Sequence, residues 1–193
     1  ISLSILIPLI LAILLRRRFR VSWLLFGVGA FTFIGSQVVH LPLNNLLTKI
    51  GILPTGTDTG WMIAQMAIVL GLTAGICEEL ARAVGYLILK KARRAEDGFM
   101  LGIGHGGIEA MILIGILTAG SLAQLFLLRG VDLTSMNFSA EQISHLQTQL
   151  DTLNQTPLMG LLPLVERLMA MTLHIILSKF TSQAIVYLKA FLI

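Results

Sequence analysis

Two short polar stretches inside apolar segments carry the residue types that could do chemistry. One is Cys77-Glu78-Glu79-Leu80-Ala81-Arg82 and the other is Gly104-His105-Gly106-Gly107-Ile108-Glu109-Ala110. Glu166-Arg167 and His174 follow in a later apolar segment. Ionisable side chains inside a membrane span are costly, and persist mainly where they face a protein interior or a water-filled cavity and have partners. A carboxylate beside an imidazole in a partly dry cavity can act as general base on a water molecule. A second imidazole with a hydroxyl can hydrogen-bond a developing oxyanion. That apparatus is sufficient for amide hydrolysis with no cofactor required. The same residues are compatible with a divalent metal such as zinc, for which Glu79, His105, Glu109 and His174 are the candidate ligands. The compact helical zinc motif H-E-x-x-H does not occur.

Spacing supports a shared centre. Glu78 and Arg82 are four apart, Glu79 and Arg82 three apart, and His105 and Glu109 four apart, so each pair can share a helix face. Arg167 and His174 are two turns apart, and Ser178 lies one turn beyond His174. Counting helical rise inward from the nearest polar border puts Glu79 about 16 Å deep, His105 about 12 Å and His174 about 8 Å. Three segments thus bring ionisable groups to overlapping levels, in the half of the membrane nearer the basic tracts.

The elements that must position these groups are long apolar helices. The chain of 193 residues is 55% hydrophobic and only 12% charged, with a mean hydropathy of +0.86. A soluble domain usually carries about a quarter charged residues. The apolar runs lack the alternation of membrane strands. The expected fold is therefore all-α: a multi-pass transmembrane helical bundle of roughly five to six spans, the last one truncated. Residues 1–193 form one transmembrane domain, and the chain starts and stops inside apolar runs, as a fragment of a longer protein would. The net charge of +4 sits in two tracts between apolar runs. That marks the cytoplasmic ends of spans and not a nucleic-acid surface. The expected location is the cell membrane, with lipid as the surrounding partner.

In order, Ile1–Leu15 is the end of a first helix, stopped by the basic tract from Arg16 to Arg20. Val21–Leu41 is a second span, followed by an external polar connection from Pro42 to Gly60. Trp61–Leu89 is a third span, ending at the tract from Lys90 to Arg94. A fourth runs from Gly98 to Leu128. Ser139-Ala140-Glu141-Gln142 has the form of a capping box. The apolar spacing of Ile143, Leu146, Leu150 and Leu153 behind it predicts an amphipathic external helix near 139–154. A fifth span covers Leu158–Ser178, with Lys179 at its inner border, and a sixth begins near Ala184. Gln37 and His40 are expected at an interface, His145 in solvent, Cys77 in the core, and Glu166 with Arg167 as a supporting pair.

On the residues Glu78-Glu79-Leu80-Ala81-Arg82, Gly102-Ile103-Gly104-His105-Gly106-Gly107-Ile108-Glu109-Ala110, Glu166-Arg167 and His174, the chain resembles the YhfC-like family of bacterial intramembrane proteases. That family is similar to the clan of type II CAAX prenyl endopeptidases, bacteriocin-processing CPBP proteins and PrsW-like proteases. The resemblance implies that Glu78 or Glu79 activates water with His105, and that His174 with Ser178 stabilises the oxyanion. Arg82, Glu109, Glu166 and Arg167 would support them. The CAAX enzymes space their motif as E-E-x-x-x-R, one residue longer than here. Names within the clan include both "metalloprotease" and "glutamic-type", and the glutamic type suits this residue set.

The expected function is an intramembrane endopeptidase acting on a membrane-associated peptide or protein. The alternatives are a non-enzymatic carrier that relays protons or ions, or a protease-like scaffold that binds a membrane partner without cutting it. The sequence shows no repeated halves of the kind carriers often have.

Overall fold

The structure is a computed structural model. It describes residues 2–56, 59–89, 92, 94–117, 119–120, 123, 127, 139–144, 147–148 and 162–191. Helix α1 spans Ser2–Phe19, α2 Trp23–Lys49, α3 Gly60–Ile88, α4 Ala95–Ala110 and α5 Leu162–Phe191. A π-helical segment, Met111–Leu117, continues α4 directly. No strand occurs among the described residues. Among the described residues, three stretches are long and apolar enough to cross a membrane: Trp23–Lys49, Gly60–Ile88 and Leu164–Leu188. The chain is an all-α membrane helical bundle.

Helix α4 is the centre of that bundle. It packs most extensively against α5 and α2, and also against α1. It is buried on nearly every side, from Asp97 to Ala110. Its glycines allow this. Gly98, Gly102 and Gly106 recur every four residues and form one stripe. A methyl group on Gly102 would lie 2.5 Å from Ile175 Cα, and one on Gly106 would lie 3.0 Å from Met171 Cα. On another face, Gly104 meets the Phe26 carbonyl, while Gly29 of α2 meets the Leu101 carbonyl. A Cβ at either position would overlap backbone. Small residues that let helix backbones touch are the usual means of tight packing in lipid, where there is no hydrophobic drive between helices. Here they bring the His105 turn of α4 against both α2 and α5.

Several element borders differ from the sequence expectations. Helix α2 does not stop at Leu41 but continues through Pro42 to Lys49. The added turns are held by side chains: Asn44 Nδ2 donates to His40 Nε2 at 2.9 Å, and Thr73 Oγ1 of α3 donates to Asn44 Oδ1 at 3.1 Å. The polar connection is correspondingly shorter. His40 and Gln37 belong to this α2–α3 network, with Gln37 Oε1 3.3 Å from His40 Nδ1. Helix α1 includes Arg16, Arg17 and Arg18 in its last turn, and Arg20, with φ of 56°, turns the chain into α2.

The fifth and sixth spans are one helix. α5 runs unbroken past Lys179 to Phe191. The stretch Lys179-Phe180-Thr181-Ser182-Gln183 contains neither Gly nor Pro to end a helix, and Thr181 Oγ1 returns a hydrogen bond to the Leu177 carbonyl at 2.9 Å. The capping box forms as expected: Gln142 N donates to Ser139 Oγ at 3.2 Å, and Ser139 N to Gln142 Oε1 at 2.9 Å. Helix follows at 140–144 and 147–148. His145, Leu146 and the end of the expected external helix lie outside the described residues, as does most of the fourth span beyond 117.

A buried carboxylate and imidazole centre

Glu78 comes from α3, His105 from α4 and His174 from α5. The close approaches just described bring the α4 and α5 residues together, and α3 packs against α2 and α5. Glu78 Oε2 lies 3.5 Å from His105 Nε2 and 3.6 Å from His174 Nδ1. The two imidazole rings are 4.8 Å apart, centroid to centroid. One donor atom from each of Glu78, His105 and His174 lies within 4.8 Å of the others, and all three residues are buried.

Arg82 completes the inner face. It is fully buried. Its Nη2 donates to Glu78 Oε2 at 3.2 Å and to His174 Nδ1 at 3.4 Å. Its Nη1 lies 3.1 Å from Glu79 Oε1, close enough for ion pairing but too poorly aligned for a hydrogen bond. A guanidinium has no acceptor, so His174 Nδ1 carries a lone pair at this contact and the ring proton is on Nε2. That nitrogen faces Glu109 Oε2 at 2.7 Å, an ion-pair contact too poorly aligned for a hydrogen bond. Arg167 Nη1 in turn donates to Glu109 Oε1 at 2.7 Å and also pairs with Glu166. A chain Arg167–Glu109–His174 therefore runs into the centre from its outer side.

Of the residues singled out in the sequence, Glu78, His105, His174 and Arg82 meet directly, and Glu109 and Arg167 stand behind His174. Glu79 does not join the group. It points toward α5, where Thr181 Oγ1 donates to its Oε2 at 2.6 Å, and its side chain is 37% exposed. The metal-ligand set expected from sequence changes accordingly. Glu78 takes the place given to Glu79, because residues 78 and 79 point about 100° apart around a helix. Glu109 lies behind His174 because it is held by Arg167. Ser178 is one turn away from the centre and fully buried. Its Oγ has no hydrogen-bond partner, and its carbonyl accepts from Tyr86 Oη at 2.8 Å.

Thr32 of α2 is a member that the motifs did not include. Its Oγ1 lies 2.9 Å from His105 Nδ1. Phe33, beside it, meets the His105 ring edge to face at 5.6 Å.

The donor set fits a divalent cation. His105 Nε2 is buried with no hydrogen-bond partner, His174 Nδ1 presents a lone pair, and Glu78 Oε2 lies between them. Two imidazoles and a carboxylate form a familiar zinc-binding set. A carboxylate on the far nitrogen of one histidine, as Glu109 is on His174, is the usual outer support of such a ligand.

A helical membrane bundle with this centre is of the class that can perform hydrolysis inside the bilayer. The chain belongs to the YhfC intramembrane metalloprotease family, whose model matches residues 3–192. No curated protein and no solved structure matches it. The family supports an intramembrane protease over the carrier reading, and implies a peptide or protein substrate in the membrane.

Proposed function

We propose that this protein is an endopeptidase that hydrolyses a peptide bond within or beside the membrane at the Glu78–His105–His174 centre, and that these three residues hold a divalent metal ion such as zinc. The observation that carries this reading is the convergence of an unpartnered imidazole nitrogen, a second imidazole lone pair and a carboxylate oxygen in one buried place. Arg82 Nη2 meets two of these atoms from one side, while His105 Nε2 has no hydrogen-bond partner, and a cation held by all three would give it one. A metal ion bound there would supply Lewis acidity toward water and the scissile carbonyl.

The chain's own residues do the positioning. Glu109 pairs with the Nε2 side of His174, and Arg167 holds Glu109. Arg82 sets its positive charge between the Glu78 and Glu79 carboxylates. Glu79 anchors the second arm of Arg82 and ties α3 to α5 through Thr181.

A metal-free, glutamic-type reading has one observation of its own. Arg82 Nη2 already sets a cation within 3.2 Å of Glu78 Oε2, so Glu78 could act as base on water with His105 beside it. Cleavage of single-span model peptides by the purified full chain in liposomes separates the two. The metal reading expects cleavage to stop with a zinc chelator, to return on adding zinc, and to be lost in Glu78→Gln, His105→Ala and His174→Ala. Cleavage indifferent to the chelator but lost in Glu78→Gln would overturn it in favour of the glutamic type.

A further inference from the structure

We infer that Thr32, a neutral residue of α2, is a positioning residue that keeps the proton of His105 on Nδ1 and so keeps Nε2 bare toward the centre. The inference rests on the centre proposed above being the functional one.

Thr32 is buried, and its Oγ1 has two close contacts: 2.7 Å to the Gly29 carbonyl and 2.9 Å to His105 Nδ1. A hydroxyl has one proton to give and two lone pairs. The shorter contact is to a carbonyl oxygen, which only accepts, so the hydroxyl proton goes there. The second contact then needs a proton from the ring. A neutral imidazole has one to give, which leaves Nε2 as a lone pair 3.5 Å from Glu78 Oε2.

Thr32 works against the preference His105 would otherwise have. Without the Thr32 lone pair, the strongest acceptor near the ring is the Glu78 carboxylate. The ring proton would move to Nε2, and Nε2–H would donate to Glu78. That nitrogen could then neither bind a metal ion nor accept a proton from water. The role is the same for either chemistry.

The fold is shaped to bring Thr32 there. A methyl on Gly85 of α3 would lie 2.8 Å from Thr32 Cγ2, so glycine makes room on that side. Gly29, one turn before Thr32, admits the α4 backbone at Leu101 and His105. The pair spans 73 positions of sequence.

The test is the nitrogen chemical shifts of His105 in the metal-free full chain in bilayers, labelled with 15N-histidine. They are read well above the pH of imidazole titration and assigned by loss of the signal in His105→Asn. The expected result is a protonated Nδ1 in the wild type and in Thr32→Ser, and a proton shifted to Nε2 in Thr32→Val. Thr32→Ala removes the hydroxyl without added bulk and serves if the valine variant does not fold. In parallel, zinc affinity by chelator competition should fall about 10- to 100-fold in the hydroxyl-less variant and be kept in Thr32→Ser. A protonated Nε2 in the wild type, or an unmoved proton in the folded hydroxyl-less variant, would overturn the inference. A wild type that binds no zinc but shows the expected proton shift would retire the metal reading and leave the role of Thr32 standing.

Discussion

His174 and Glu109 come from different helices, yet His174 Nε2 lies 2.7 Å from Glu109 Oε2. Neither residue reaches the other by local spacing. The contact exists because Gly102 and Gly106 let α4 rest on the backbone of α5 at Ile175 and Met171. The carboxylate stands at ion-pair distance, though too poorly aligned for a hydrogen bond, and takes up the Nε2 side of the ring, leaving Nδ1 to face the centre. Glu109→Gln should therefore weaken zinc binding by about 10- to 100-fold while leaving the fold intact. Chelator competition measures this, and unchanged affinity would remove Glu109 from the supporting set.

Arg82 is the one fully buried cation at the centre, paired with Glu78 and near Glu79. Removing one partner of a buried ion pair leaves an uncompensated charge, at a cost of about 3–5 kcal/mol. Arg82→Leu should lower the thermal stability of the metal-free protein far more than Arg94→Leu, because Arg94 is an exposed helix-start residue paired with Asp97. Equal melting temperatures for the two variants would show that Arg82 is not balancing the two carboxylates.

The glycine stripe makes a prediction about packing. Gly102→Ala forces the α4 and α5 backbones apart, and overpacking of this kind costs about 1–3 kcal/mol. Gly71 of α3 has nothing within 4 Å of where a Cβ would stand. Gly71→Ala should be neutral, or stabilising by up to about 1 kcal/mol from helix propensity. Melting of the two variants in detergent checks the contrast.

The adjacent carboxylates should behave differently. Glu78→Gln should abolish peptide cleavage. Glu79→Gln should keep measurable turnover, because Glu79 contacts Thr181 and Arg82 and not the histidines. Loss of cleavage in Glu79→Gln with full retention in Glu78→Gln would reverse the assignment.

Much of this centre was legible in the sequence because it follows local rules. The i, i+4 spacing of Glu78 and Arg82 and the depth count for His105 and His174 need only helical rise. The choice between Glu78 and Glu79 was not legible. It depends on how α3 is rotated against α2 and α5, the helices it packs on. Thr32 carried no signal, since a lone threonine in an apolar helix is as often bonded to its own backbone. The border at Lys179 misled for a different reason. A single lysine marks a membrane edge only if the helix also ends there, and the backbone after Lys179 contains nothing to end it. Pro42 and Asn44-Asn45 resemble a turn, but the network from Asn44 to His40 and Thr73 keeps them helical.

Under the proposed function, Glu78, His105 and His174 together hold one metal ion. Metal analysis of the purified, folded full chain tests it most directly. One bound zinc or similar divalent ion per chain is expected, lost in His105→Ala and in His174→Ala and kept in Glu79→Gln. A wild-type protein that cleaves peptide while carrying no metal, or one whose metal survives both histidine substitutions, would contradict it.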